Sequence, residues 1–404
     1  MEIQDIRNMF PELAEKVYGR PLVYFDNAAT ALRPRPVISK WLEMSEKYNA
    51  NIHRAVHHTA VVATEEFENA RDRVREFINA GRREEIIFTS GTTASINLVA
   101  SAFGDAFIHE GDEVIVTEAE HHSDIVPWQL MCEKKGAELK VLTVDDGGYL
   151  NVAELESLCT GRVKIMAVTH ISNVLGIINP IKEIVRICHS HGIPVLVDGA
   201  QGIVHGKVDV RDLDCDFYAF SGHKMYAATG TGILYGKLKW LEQMPPYMGG
   251  GEMIETVRFS GTTYAAPPRR FEAGTQNIAG IPTLVPAISV IETLNENKDY
   301  EAVKEYLMEK LSDDDRIRLF GVPRRTEDKI PLFSFAVNGI HHEDLALLLD
   351  KMGVAVRSGQ MCAEPLMDRF GVTGMLRASL LPYNTMEEAE YFVESLGKAI
   401  KMLS

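Results

Sequence analysis

The sequence predicts an α/β fold: a mostly parallel seven-stranded sheet between helices, with a smaller α+β unit at the C-terminal end. Three observations carry this expectation. Apolar runs of strand length alternate with helix-length segments from residue 85 to about residue 235. The chain has 404 residues, enough for more than one core. Its 46% hydrophobic and 25% charged content is that of an ordinary globular protein.

Residues 1–20 read as a short helix and a tail packing with the C-terminal unit. Tyr24 to Thr30 opens the ordered body, with Asp26-Asn27-Ala28-Ala29 as a tight loop. Glu65 to Ala80 is expected to be a helix, because Phe67, Ala70, Val74, Phe77 and Ile78 recur at helical spacing and Gly81 can end it. Strands are then expected at 85–89, 113–117, 139–144, 164–169, 194–197 and 217–220, with 232–235 as an antiparallel neighbour. Helices are expected between them at 95–103, 125–135, 152–158 and 181–191. Gly249-Gly250-Gly251 and the stretch Gly261 to Gly274 are rich in Gly, Thr and Pro and read as ordered loops over a site. Ile281 to Leu294 reads as a helix. Thr385-Met386-Glu387-Glu388 is a Thr-x-x-Glu capping box opening the last helix. The expected organisation is 1–20, a large unit at 21–294 and a small unit at 295–404.

The net charge of −15 makes nucleic acid a poor partner. Arg82-Arg83, Arg269-Arg270 and Arg324-Arg325 are isolated basic pairs. The five cysteines, 132, 159, 188, 215 and 362, show no C-x-x-C spacing, so no metal site is expected. Their odd, dispersed number fits a reducing compartment. No signal-peptide pattern and no membrane-length apolar run is seen, and the expected location is cytoplasmic.

The chemistry begins with a lysine and an aspartate. Lys224, in Ser221-Gly222-His223-Lys224, follows one strand, and Asp198 ends the strand before it. A lysine that carries an aldehyde cofactor and a carboxylate that keeps a pyridinium nitrogen protonated are the two protein groups pyridoxal phosphate (PLP) needs. Ligands in open α/β sheets sit beyond the carboxyl ends of strands, where both residues fall. Ser90-Gly91-Thr92-Thr93 lies between a strand and a helix and suits a phosphate, although it also suits a plain turn and N-cap. Ser221 and His223 can add phosphate donors. His121, in Glu120-His121-His122-Ser123-Asp124, can stack on an aromatic ring or exchange protons, or can simply be an exposed capping histidine. Asn173 and Gln201 can reach the ring edge or be ordinary turn residues. Arg377 lies in an apolar strand and needs an anionic partner, either a substrate carboxylate or a structural acid. Cys362 alone sits in a Gly-containing loop near an arginine, the setting of a reactive thiol, whereas the other cysteines look like core fillers.

These segments resemble the class V aminotransferase superfamily, in particular the SufS/CsdA-type (group II) cysteine desulfurases, also called selenocysteine lyases. The resemblance runs from about residue 20 to the C-terminus. It rests on Tyr24 to Thr30, Asn51-Ile52-His53-Arg54, Gly91-Thr92-Thr93 through Ala100, Glu120-His121-His122 with Ile125 to Gln129, Val197 to Gln201, Ser221 to Lys224, Arg270 to Thr275, and Arg377-Ala378-Ser379. It implies a PLP enzyme of fold type I, a homodimer with its site at the subunit interface. It assigns the cofactor lysine to Lys224, its pyridinium partner to Asp198 and its stacking group to His121. It assigns phosphate contacts to Thr92, Thr93, Ser221 and His223, with Thr275 given by the other subunit. Asn173 and Gln201 become ring-side donors. Arg377, with Asn173 and Arg357, holds the substrate carboxylate. Cys362 becomes the thiol that takes sulfur from L-cysteine as a persulfide, on a mobile loop. A sulfur-acceptor protein of the SufE or SufU kind, or a scaffold, is then the expected partner, and iron–sulfur cluster assembly the expected destination. Gln360-Met361 stand where the family often has two histidines. Two other readings stay open at this stage: another class V enzyme such as a selenocysteine-specific lyase, and a non-catalytic docking partner in sulfur delivery.

Overall fold

The computed structural model describes residues 2–294 and 299–404, so the expected boundary at residue 295 lies outside the described residues. The large sheet has seven strands: β1 (Ile86–Thr89), β2 (Glu113–Thr117), β3 (Glu138–Leu142), β4 (Val163–Thr169), β5 (Val195–Asp198), β6 (Phe217–Ser221) and β7 (Gly232–Gly236). Their order is β1-β7-β6-β5-β4-β2-β3. Only β7 runs antiparallel, to both its neighbours, as its sequence predicted. The other pairings are parallel.

A parallel sheet must be covered on both faces, so its strands read as continuous apolar runs. Within β4, Met166 and Val168 join one buried cluster while Ile165 and Ala167 join another. That alternation is the two-residue period of a strand packed on both sides. The helix Ile181–Ser190 closes one face with Ile181, Ile184, Val185 and Cys188, a helical stripe. Thr169 pairs with Asp198, and Asp198 pairs with Ala219. The carboxyl ends of the central strands therefore stand side by side.

A second sheet contains β8 (Ile317–Phe320), β9 (Leu332–Val337), β10 (Arg357–Gly359) and β11 (Met375–Ser379). It is antiparallel, in the order β8-β9-β11-β10. Val23–Tyr24 runs parallel to Val354–Ala355, and Asp26 bridges to Ser379. The segment before the large sheet is thus stitched to the small one. The last helix, Met386–Leu403, has the predicted reciprocal cap: Glu388 N–H donates to Thr385 Oγ1 at 3.2 Å, and Thr385 N–H donates to Glu388 Oε2 at 3.1 Å.

Three expectations are corrected. The helix expected from Glu65 begins at His58, where the His57 ring accepts from Ala60 N–H at 3.3 Å. It ends at Phe77, and Asn79, at φ 54°, supplies the left-handed turn assigned to Gly81. The helix expected from Ser95 begins at Thr92 and runs to Phe107. The supposed loops over the site include an exposed hairpin, Ile254–Arg258 with Gly261–Tyr264. Its threonines pair across the strands, Thr256 Oγ1 to Thr263 Oγ1 at 2.7 Å, and stabilise what Gly and Pro content had disguised.

Arg71 and Glu272 lock the His58–Phe77 helix to β1 and to the segment after the hairpin. Both side chains are almost wholly buried and meet in two parallel bonds of 2.7 and 2.9 Å. Arg71 also donates to Ile86 O, and Glu272 accepts from Phe88 N–H, each at 2.7 Å. Arg71→Met leaves that carboxylate buried and without its cation. The expected loss is about 3–5 kcal/mol of unfolding free energy, measured by urea denaturation, with a smaller loss when both residues become apolar.

Candidate active site

Strands that end level present their following residues to one place. After β1 come Thr92 and Thr93; after β2, His121; after β4, Asn173; at the end of β5, Asp198 and then Gln201; after β6, Lys224. All of them, with Ser221, His223, Arg357, Cys362 and Arg377, line a single cavity of about 330 Å³. Of the expected site residues only Thr275 stands outside it, exposed on the surface of its own chain.

Hydroxyls gather near the start of the Thr92–Phe107 helix. Ser221 Oγ accepts from Thr92 N–H at 2.7 Å and meets Thr92 Oγ1 at 2.7 Å. Thr93 Oγ1 meets Ser123 Oγ at 2.7 Å. Burial, then the nearby Lys224 and Arg33 charges, push His223 down to about 4, so its ring is neutral. A Cβ at Gly222 would stand 2.0 Å from Thr231 Oγ1, which is why the turn carrying Lys224 has glycine there. A helix N-terminus with these donors is an anion cradle.

Lys224 is half-buried, and its amine is pushed below its ordinary value by desolvation, against the opposing pull of Asp198. Burial pushes Asp198 up, offset by Lys224 and by the Ala200 N–H that reaches Oδ1 at 2.8 Å. Burial and the charge of Lys224 push His121 down to about 4. Its Nδ1 accepts from Ser123 N–H at 3.0 Å, so the neutral ring keeps its hydrogen on Nε2. Gln201 Nε2 donates to Ala28 O at 2.8 Å, which fixes its amide beside the cavity.

A second cluster is cationic. Arg377 is 3% exposed; it donates to Asn173 O at 2.8 Å and lies 3.4 Å from Asp26. Arg357 grips the same Asp26 at 2.7 and 3.2 Å. Arg377 thus has a structural acid, and its buried Nε still has no hydrogen-bond partner. Two guanidinium groups share one carboxylate, which leaves positive charge for a second anion. Desolvation lowers Arg377 to about 10.

Cys362 stands on a short turn with hydrogen bonds to two other elements. Met361 and Cys362 adopt φ values of 54° and 55°. Asn173 Nδ2 donates to Met361 O at 2.8 Å, and His122 N–H donates to Cys362 O at 2.7 Å. Cys362 is exposed, whereas Cys132, Cys159, Cys188 and Cys215 are buried.

The donor set fits PLP: hydroxyls and a helix N-terminus for a phosphate, a half-buried lysine for an aldehyde, and an aspartate on the adjacent strand for a ring nitrogen. A family model of class-V aminotransferases matches residues 23–392. The chain belongs to the aminotransferase class-V family. Enzymes of this family are PLP-dependent. The cysteine desulfurase of Serratia proteamaculans is 44% identical, over 99% of each chain. The probable cysteine desulfurase of Vibrio cholerae is 43% identical over the whole of both. Among solved structures, the cysteine desulfurase of Thermococcus onnurineus is 38% identical with a TM-score of 0.94, covering 100% of this chain and 99% of that one. Escherichia coli CsdA is 37% identical with a TM-score of 0.90 over the whole of both.

Asp26, Ser123 and His122 belong to the site without having been singled out as site residues. In the sequence Asp26 is legible only as a loop residue; its arginines lie 331 and 351 positions away, beyond the reach of local pattern. Ser123 and His122 stand in the same motif as His121 and were legible only as part of it.

Beneath His121 lie two wholly buried carboxyl groups, Glu120 and Asp124. Glu120 accepts from Thr117 Oγ1 at 2.6 Å and from Thr169 N–H at 2.8 Å, and Asp124 from Trp128 Nε1 at 3.0 Å. Their other oxygens, Glu120 Oε2 and Asp124 Oδ2, have no hydrogen-bond partner unless a proton is present. Burial, and then the neighbouring acids, raises both pKa values, so the native pair retains a proton that the unfolded chain gives up. The stability this proton confers is present in acid and is lost as pH rises from the ordinary carboxylate value of 4.5 through the raised one. Urea midpoints measured against pH are expected to fall over that window and to fall less in Asp124→Asn.

Proposed function

We propose that this chain is a PLP-dependent cysteine desulfurase that releases L-alanine from L-cysteine and holds the sulfur as a persulfide on Cys362. The observation that carries the reading is the convergence of Lys224, Asp198, Arg377 and Cys362 on one cavity. PLP, when bound, supplies an electron sink for the substrate's α-carbon. Lys224 anchors the cofactor, and its depressed amine serves as the base for the α-proton. Asp198 holds the ring nitrogen's proton. His121 covers the ring and keeps a hydrogen on Nε2 for donation. Thr92, Thr93, Ser221 and His223 bind the phosphate, and Asn173 and Gln201 the ring edge. Arg377, with Arg357 and Asn173, orients the substrate carboxylate.

The sulfur step needs a thiolate at Cys362. Its Sγ forms a bond to the substrate sulfur as the substrate's Cβ–S bond breaks, and the electron pair of that bond stays with the carbon fragment. After protonation, one L-cysteine and one Cys362 thiol have become one L-alanine and one persulfide. No external oxidant or reductant is consumed. The exposed position of Cys362 supports onward transfer to an acceptor protein and, through it, to iron–sulfur cluster assembly. Thr275 is exposed and not part of its own chain's cavity lining, which supports a homodimer in which it serves the partner's phosphate site.

The test is simultaneous measurement of alanine and protein-bound persulfide with L-cysteine, in wild type and Cys362→Ala. Both products are expected in wild type, with persulfide abolished in the variant. Alanine without persulfide in wild type would overturn the role of Cys362. Arg377→Lys keeps the charge but loses the planar fork. It is expected to raise KM for L-cysteine about tenfold, an apparent binding loss of ~1.4 kcal/mol, with the cofactor's absorbance unchanged.

A further inference from the structure

The turn carrying Cys362 is held mainly by one residue of another element. His122 opens the short 3₁₀ turn His122–Asp124 after β2. Its N–H donates to Cys362 O at 2.7 Å. Its ring Nε2 accepts from Glu364 N–H at 3.0 Å. The two bonds straddle Ala363, which is fully buried, so they grip the chain on both sides of a fixed point. Within the turn, Ala363 N–H donates to Gln360 O, and Gln360 Nε2 donates to Glu364 Oε1, each at 3.0 Å. Met361 is buried while Cys362 between it and Ala363 is exposed. Two consecutive non-glycine residues at positive φ persist only where their surroundings over-determine them. Here those surroundings are His122 and the Asn173 amide on Met361 O.

The ring bond also fixes the chemistry of His122. An imidazole that accepts at Nε2 carries its hydrogen on Nδ1, and one protonated at both nitrogens cannot accept at all. A different side chain at residue 122 keeps the backbone bond to Cys362 but loses the bond to Glu364, unless it offers an acceptor at the same reach.

We propose that His122 is a positioning residue for the Cys362 thiol, its ring holding the Glu364 amide so that the turn presents Sγ to the cavity in one conformation. The proposal rests on the reading of Cys362 as the sulfur-receiving thiol. Two readouts separate them: hydrogen exchange at the Glu364 amide, which requires no turnover, and the rate at which L-cysteine places a persulfide on Cys362. Both are measured on the cofactor-loaded full chain as wild type, His122→Ala and His122→Gln, since a glutamine oxygen can reach where Nε2 stands.

In His122→Ala, Glu364 exchange is expected to speed up about tenfold and persulfide formation to slow about tenfold, each equivalent to ~1.4 kcal/mol. Cofactor absorbance should be unchanged, and His122→Gln should recover most of both effects. Unchanged Glu364 exchange in His122→Ala overturns the proposal. So does a persulfide defect of equal size in the alanine and glutamine variants, which would mark a merely structural role. Wild-type protein that forms no persulfide overturns the desulfurase reading instead, while the exchange measurement still decides whether the clamp exists.

Discussion

The cavity exists because parallel strands stop at the same level. β4, β5 and β6 are paired so that Thr169, Asp198 and Ala219 stand abreast. This register is fixed by burial on both faces: Met166 and Val168 point to one apolar cluster, and Ile165 and Ala167 to the other. A slip of one residue would exchange the faces and carry Asp198 away from the lysine on the next turn. The groups that line the cavity therefore inherit their positions from apolar packing beneath it. The chemistry is placed by residues with no chemistry of their own.

A second constraint is a shortage of negative charge. Arg357 and Arg377 come from neighbouring strands of the small sheet, paired directly opposite each other. Among the described residues they meet one carboxylate, Asp26, which comes from the loop after Val23–Tyr24. That loop also donates Ala28 N–H to Ser379 Oγ at 2.9 Å, and the Ala28 carbonyl accepts from Gln201. One short segment thus balances the guanidinium groups and braces Gln201, three residues after Asp198. Loss of Asp26 would leave the buried guanidinium of Arg377 without its acid, beside the exposed guanidinium of Arg357; in the proposed function the incomplete balance leaves Arg377 an attraction for an incoming carboxylate.

Much of this was legible in the sequence because it follows from local rules. Apolar runs gave the seven strands. The residues directly after each run, from Thr93 to Lys224, were the ones the cavity gathers. Helix ends were less legible where their determinants are unusual. His57 caps with a ring nitrogen, and the buried stripe begins on Ala60 and Ala63, side chains too small to mark a helix start as plainly as Phe67 does. The hairpin at Ile254–Tyr264 hid behind glycine and threonine, because cross-strand threonine bonds stabilise it and apolar alternation does not. Asp26 and His122 eluded their roles for another reason. Each acts on residues more than two hundred positions away, a distance only the fold closes.

The distribution of thiols has its own consequence. Cys132, Cys159, Cys188 and Cys215 are all beneath the surface, and Cys362 alone meets solvent. In the proposed function such a chain has one port for sulfur and no internal relay of exposed thiols. An atom received at residue 362 cannot be passed from thiol to thiol toward an exit elsewhere, so entry and departure must alternate at a single gate. How long the cargo waits is then set by what arrives from outside, and when recipients are scarce the chain itself becomes the reservoir.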